Sequence, residues 1–163
     1  MRILGIDPGT ATIGYGLVRK ISGKLGLVAS GLIETNKEMD HGERLTSIFE
    51  DFSSLLKLHK PDLVAIERLF FFINAKTAMQ VAQATGVLFM AASQNKVPLK
   101  EYMPRQIKLQ VFGDGKASKK DIKNTIFKTF GIQARKNHKT HFDNEADAIA
   151  VALCHFKMMN VVR

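Results

Sequence analysis

The chain has 163 residues, 45% of them hydrophobic, with 24 Lys and Arg against 15 Asp and Glu for a formal charge of +9. That length is about one domain's worth and buries a single sizeable core. The apolar content excludes a disordered polyelectrolyte, and the charge excludes an acidic solvating chain.

From the N-terminus, Arg2 to Asp7 reads as a buried strand halted by the turn Asp7-Pro8-Gly9-Thr10, and no long apolar signal segment precedes that acid. Thr12 to Arg19 and Lys24 to Glu34 read as the next two strands, joined at Ser22-Gly23, so the first third is expected to be an antiparallel meander. Between Gly42 and Leu58, the residues Leu45, Ile48, Phe49, Phe52, Leu55 and Leu56 recur at the spacing of an amphipathic helix. Pro61-Asp62 then introduces Leu63 to Glu67, a continuous apolar run ending on an acid, as in a central parallel strand. Asn74 to Asn95 reads as a long Ala-rich helix. Its stretch from Ala78 to Ala92 carries Gln80 and Gln83 and falls short of the roughly 20 residues a bilayer needs, so it is expected to be a buried helix with no membrane role. Val97 to Tyr102 reads as a short strand. Pro104 to Phe112 and Ser118 to Phe130 read as helices flanking Gly113-Asp114-Gly115, and Asn144 to Met159 as the last helix. A single cysteine, Cys154, cannot close an intramolecular disulfide, and a cytoplasmic location is expected. No linker or repeat interrupts the chain. Residues 1–163 are therefore expected to form one α/β domain, a mixed five-stranded sheet flanked by helices in the order βββαβαβααα.

The positive excess is confined to one segment. Between Lys96 and Lys139 lie twelve Lys and Arg against Glu101, Asp114 and Asp121, so this third of the chain carries all of the +9. A basic helix is often no more than a solvated face. Confinement of the whole excess to one segment points instead to a polyanion-binding surface, nucleic acid first.

Three acids stand at the ends of regular elements: Asp7 closes the first strand, Glu67 the fourth, and Asp147 is expected on the first turns of the last helix. Sites of α/β sheets lie outside the carboxyl ends of the strands, where adjacent strands would bring Asp7 and Glu67 together. Carboxylates that close repel unless a cation neutralises them. An oxygen-only donor set suits Mg²⁺ or Mn²⁺, and the five histidines show no zinc spacing. His138-x-x-His141 falls in a basic loop and reads as solvated or phosphate-touching. One acid at a strand end is most often a plain surface carboxylate, but three such placements together weaken that reading. Metal-held acids beside a basic surface are the arrangement that hydrolyses phosphodiesters, one ion activating water and another stabilising the leaving 3′ oxygen. No Ser-His or Cys-His nucleophile pair is visible, so water is expected to attack directly, with Lys119 and Lys108 as candidates to neutralise charge on the phosphate.

These residues carry a resemblance. Ile6-Asp7-Pro8-Gly9-Thr10 with Gly14-Tyr15-Gly16, Ala65-Ile66-Glu67, Arg105-Gln106-x-Lys108, Gly115-x-Ala117-x-Lys119 and Ala146-Asp147-Ala148-x-Ala150 resemble the RuvC family of bacterial crossover junction endodeoxyribonucleases, in order over essentially the whole chain. The resemblance implies a ribonuclease H-like fold and a homodimer that resolves four-way Holliday junctions by paired symmetric nicks in DNA recombination and repair. It further implies Mg²⁺, with Mn²⁺ able to substitute and a pair of ions per site, and work beside the RuvA and RuvB branch-migration proteins. By position, Asp7, Glu67 and Asp147 resemble the family's metal-binding catalytic acids. Lys108 and Lys119 resemble its phosphate-contacting lysines, and Phe70 the aromatic that stacks on an unpaired base near the crossover. Arg105, Lys116, Lys120 and Lys123 complete the expected DNA-binding set. One position departs. The family's fourth ligand, an Asp or sometimes a His three residues before the last Asp, is Asn144 here. Side chains at i and i+3 share a helix face, so Asn144 is expected to face the same site and offer its amide oxygen without charge, lowering metal affinity. Asp143, about 40° round the helix from Asp147, is the substitute donor.

Other readings compete at particular residues. Leu69-Phe70-Phe71-Phe72 is either a stacking wedge for splayed bases or core and dimer packing, with the resemblance assigning Phe70 to DNA. Ala78, Ala82 and Gly86 permit close helix approach, and their helix is expected in a two-fold interface. The Asp7 turn also opens actin-like ATPases and sugar kinases, whose two such domains 163 residues cannot supply. It opens the YqgF group of RNA-processing nucleases as well, against which the Arg105-to-Lys119 stretch counts. A last alternative is a junction-binding protein whose cleavage is weakened or absent because of Asn144, since phosphate neutralisation by Lys and Arg is enough for binding.

Overall fold

The computed structural model describes residues 1–68, 75–132 and 139–161, apart from the side chains of 75–77, 139–142 and 160–161. Strands β1 (Arg2–Asp7), β2 (Thr12–Ile21) and β3 (Lys24–Glu34) form the expected meander. Ser22 and Gly23 take φ of 48° and 82°, the left-handed pair that a tight two-residue hairpin turn requires, and Gly23 does so without steric cost. Helix α1 (His41–His59) begins at a reciprocal cap between Asp40 and Glu43 and crosses one face of the sheet to β4 (Leu63–Glu67), which pairs parallel with β1. Helix α2 (Ala75–Gln94) and strand β5 (Leu99–Tyr102) follow, then α3 (Pro104–Phe112), α4 (Lys119–Phe130) and α5 (Lys139–Val161). The sheet order is β3-β2-β1-β4-β5, antiparallel on one side of β1 and parallel on the other.

Three expectations need correcting. Strand β5 starts at Leu99 rather than Val97, because the preceding Pro98 has no N–H for a ladder and contributes only its carbonyl, which accepts from Val64 N at 2.9 Å. Helix α5 starts at Lys139, so Asp147 sits two turns inside the helix and not on its first turns. A side chain there is aimed by a formed helix, not by a fraying end. Helix α2 is buried on one face only: Ala84, Leu88, Ala91 and Ala92 enter the core, while Met79 and Met90 are 67% and 54% exposed. Leu69, Phe70, Phe71, Phe72 and His138 lie outside the described residues.

Strand alternation splits the core in two and decides which way the acids face. Leu4, Ile6, Ile13, Leu17, Val64 and Ile66 point to the α1–α2 side. Ile3, Val18, Ala65 and Tyr102 point to the α3–α4–α5 side. Continuing the period of two along β1 and β4 puts Asp7 and Glu67 on the α5 side. The Tyr102 hydroxyl lies 2.6 Å from His155 Nδ1 in that buried layer, tying the end of β5 to α5. Burial pushes the tyrosine up to about 12 and the histidine down, which keeps both neutral.

Candidate metal and phosphate site

The last β1–β4 register pair is Ile6 with Ile66, so Asp7 and Glu67 follow side by side at the carboxyl ends of neighbouring strands. Helix α5 lies across both strands and supplies Asp147. Together with Lys108 of α3 and Lys119 of α4, these acids line a cleft of about 360 Å³. Five residues singled out in the sequence are thereby brought to one place. Pro104, Ile107, Ile122 and Ala150 complete the cleft with an apolar wall that the sequence reading missed. Its signal was helical spacing: Ile122 is one turn beyond Lys119, and Ile107 adjoins Lys108.

That wall has an electrostatic effect. Burial, then the charge of Asp147, then that of Glu67 push the Asp7 carboxyl up to about 7, against a smaller opposing pull from Lys119. Glu67 is raised as well, by burial and by Asp147, with Lys119 and Lys108 pulling the other way. Lys119 Nζ donates to Asp147 Oδ2 at 3.0 Å, and this bond holds the ammonium pKa above its usual value. The Lys119 side chain is 81% exposed, so the pair is a solvent-facing one worth at most about 1 kcal/mol. A phosphate competing for the ammonium therefore meets little resistance.

Among the described residues, no three of Asp, Glu, His and Cys are closed up into a ready-made ion cage. The three acids share one cleft without closing on a common point, and like charges brought that near repel. The donors nevertheless fit a hard divalent ion: all are carboxylate oxygens, they approach from three elements, and their mutual repulsion is what a cation relieves.

The remaining expected residues divide. Lys120, Lys123 and Asp143 line a second groove of about 230 Å³, which shares Lys119 and Asp147 with the cleft. Asp143 is ion-paired with Lys123 across α4 and α5 and is turned to that groove, so it does not stand with Asp7 and Glu67. Asn144 lines neither cavity; its Cβ lies against Gly14, the register partner of Asp7. Arg105 folds over Gly115, and neither it nor Lys116 lines either cavity. Phe70 is outside the described residues.

A mixed sheet of this order, with acids at the ends of β1 and β4 and a third on the helix laid across them, is the architecture of the ribonuclease H-like class. The sequence profile for crossover junction endodeoxyribonuclease RuvC matches residues 3–155, and the chain belongs to the RuvC family. The crossover junction endodeoxyribonuclease RuvC of Syntrophomonas wolfei is 42% identical over 155 residues, covering 95% of this chain and 88% of the relative. The Thermus thermophilus RuvC structure superposes with a TM-score of 0.86 at 29% identity, covering 99% of this chain and 97% of that one. The T. thermophilus RuvC in complex with Holliday junction substrate gives a TM-score of 0.87 at 29% identity over 99% and 96% of the two chains.

Proposed function

We propose that this protein resolves four-way DNA junctions by paired, symmetric, metal-assisted hydrolysis of phosphodiester bonds, as a single ribonuclease H-like domain over residues 1–163. The observation that carries the reading is the convergence of Asp7, Glu67 and Asp147 with Lys108 and Lys119 in one cleft. The three acids would hold Mg²⁺ or Mn²⁺, a pair of ions in the usual arrangement, which when bound supply an activated water and neutralise the leaving 3′ oxygen. Lys108 and Lys119 hold the phosphate and offset its growing charge. The apolar wall lowers the local dielectric around Asp7 and Glu67, which strengthens their hold on a cation. Lys116, Lys120, Lys123 and Arg105 neutralise phosphates along the DNA arms, so binding weakens steeply with salt. The T. thermophilus complex with a Holliday junction supports the substrate. The family resemblance supports a cytoplasmic location beside the RuvA and RuvB branch-migration proteins; among the described residues no helix is long and apolar enough to cross a membrane.

The test is an end-labelled synthetic four-way junction incubated in Mg²⁺, Mn²⁺ or EDTA, with linear duplex in parallel. Symmetric metal-dependent nicks on the junction alone are expected; failure to prefer the junction over duplex would overturn the reading.

Asn144 bears on the alternative of binding without cutting. Asn144 lines neither cavity but stands on the turn of α5 that leads into Asp147, so Asn144→Asp adds a fourth negative charge near the acids and is expected to tighten Mn²⁺ only severalfold, by attraction from outside the ligand set. Cleavage then rises at limiting metal and changes little at saturation. A gain above roughly 10³-fold at saturating metal would show the native residue to be crippling.

The exposed face of α2 is where we place the two-fold contact. Met79 and Met90 are exposed there, and nothing lies within 4 Å of a Cβ built on Gly86. Met90→Glu puts two like charges near the axis, a cost of several kcal/mol. Sedimentation is expected to show a dimer for the native chain and a monomer for the variant at micromolar concentration. A dimer unaffected by the change would remove α2 from the interface.

A further inference from the structure

We propose that Gly14 is a positioning residue for the acid cluster: with no side chain it lets the α5 backbone rest on β2, and so sets Asp147 against Asp7. This rests on the reading of those acids as a metal site. The observation is a glycine trough under α5. Gly5 and Gly16 are register partners on β1 and β2, and Gly14 is paired with Asp7 itself. A Cβ on Gly14 would stand 2.2 Å from the Asn144 carbonyl oxygen, and one on Gly5 would stand 2.0 Å from the Ala148 carbonyl oxygen. On Gly16 it would meet Ile149 Cγ1 at 2.5 Å and the Ile149 backbone at 2.9 Å. These contacts bracket Asp147 on the helix. The helix contributes its own small residues, with Ala146, Ala148, Ala150 and Ala152 all buried.

Gly14 differs from the other two in what it joins. Its partner across the ladder is one acid, and the helix turn pressed on it leads directly into another. A carbonyl oxygen cannot rotate out of the way, so a methyl group at Gly14 must lift that turn by about 1 Å to regain ordinary contact. Ligand constellations tolerate about 0.5 Å. The lift acts on the Asp7–Asp147 gap, whereas the basic surface on α3 and α4 that holds DNA is on other elements. The expected signature is therefore a metal defect without a DNA-binding defect.

The test uses Gly14→Ala, with Gly26→Ala as control because a Cβ there meets nothing within 4 Å. Mn²⁺ affinity of the DNA-free protein is measured by calorimetry, junction affinity in EDTA by gel shift, and folding by circular dichroism. Gly14→Ala is expected to bind Mn²⁺ about 10- to 100-fold more weakly, as when support of a metal ligand is lost, with junction affinity within about threefold. Its cleavage should recover toward the native rate as Mn²⁺ is raised, which a packing defect would not do. Should Gly14→Ala fail to fold, Gly16→Ala is read instead, because its shortest conflict is with a movable side-chain atom. That variant is expected to lose about 3- to 10-fold in Mn²⁺ affinity, again with junction binding intact. A folded variant with native Mn²⁺ affinity, or one losing metal and junction binding in parallel, would overturn the positioning role. If the native chain itself binds no Mn²⁺, the site reading fails first.

Discussion

Glu67→Gln is expected to lower junction cleavage at least about 10³-fold while leaving junction binding intact or slightly tighter. The side chain keeps its size and loses only its charge. It stands at the end of β4 beside Asp7, one of three carboxylates facing a shared cleft with Lys108 and Lys119. A cation held by three charges is held much less well by two, and the several kcal/mol that such a cation contributes to the transition state go with it. DNA binding moves the other way because one negative charge has been removed from a surface that receives phosphates. Folding should be unharmed or improved, since burial and Asp147 both disfavour the ionised Glu67 in the native protein. Single-turnover cleavage, gel shift and thermal melting on one preparation separate these effects. Cleavage within tenfold of native would remove Glu67 from the chemistry, and a parallel loss of binding would make it a structural residue.

Much of the fold could be read in the sequence because local and long-range signals agree. The Ser22-Gly23 turn, the apolar run closing on Glu67, and Pro104 opening α3 each state a boundary that the structure places within a residue or so. The acids were legible for a physical reason as well. A charge that closes an otherwise apolar strand has only the carboxyl end of the sheet to occupy, and parallel pairing of β1 and β4 sets the two ends level. What could not be read was information held between elements. The start of α5 at Lys139 was hidden because Lys139 to Asp143 carry no apolar period. The exposure of Met79 and Met90 depends on which face of α2 meets the sheet, which composition does not state. The pairing of Asp143 with Lys123 depends on the distance between α4 and α5, and it turns toward the second groove a residue that spacing alone had offered as a metal donor.

The same electrostatics predict how the metal-free protein responds to pH. Asp7 is raised to about 7 in the folded chain and returns to an ordinary carboxylate value near 4 when unfolded. Between those values the folded state binds the extra proton, so this contribution is fully present below pH 4 and is lost as pH rises through 7. The whole window is worth about 4 kcal/mol, and the part between pH 6 and pH 8 about 1 kcal/mol. In EDTA the melting temperature is expected to fall by about 2–4 °C between pH 6 and pH 8, and the fall should be absent in Asp7→Asn. A divalent ion reverses the trend, because it binds the ionised acids and displaces the proton. Mn²⁺ affinity should therefore rise about tenfold per pH unit up to pH 7 and level off above it. Cleavage at limiting metal follows the same curve, while junction binding in EDTA weakens only slightly from pH 6 to pH 8 as Asp7 gains its charge beside the phosphate-binding lysines. Equal pH slopes for native and Asp7→Asn would detach the effect from Asp7. A flat Mn²⁺ affinity from pH 6 to pH 8 would mean that the acids enter the metal site already ionised, with repulsion between them relieved by Lys119 and Lys108.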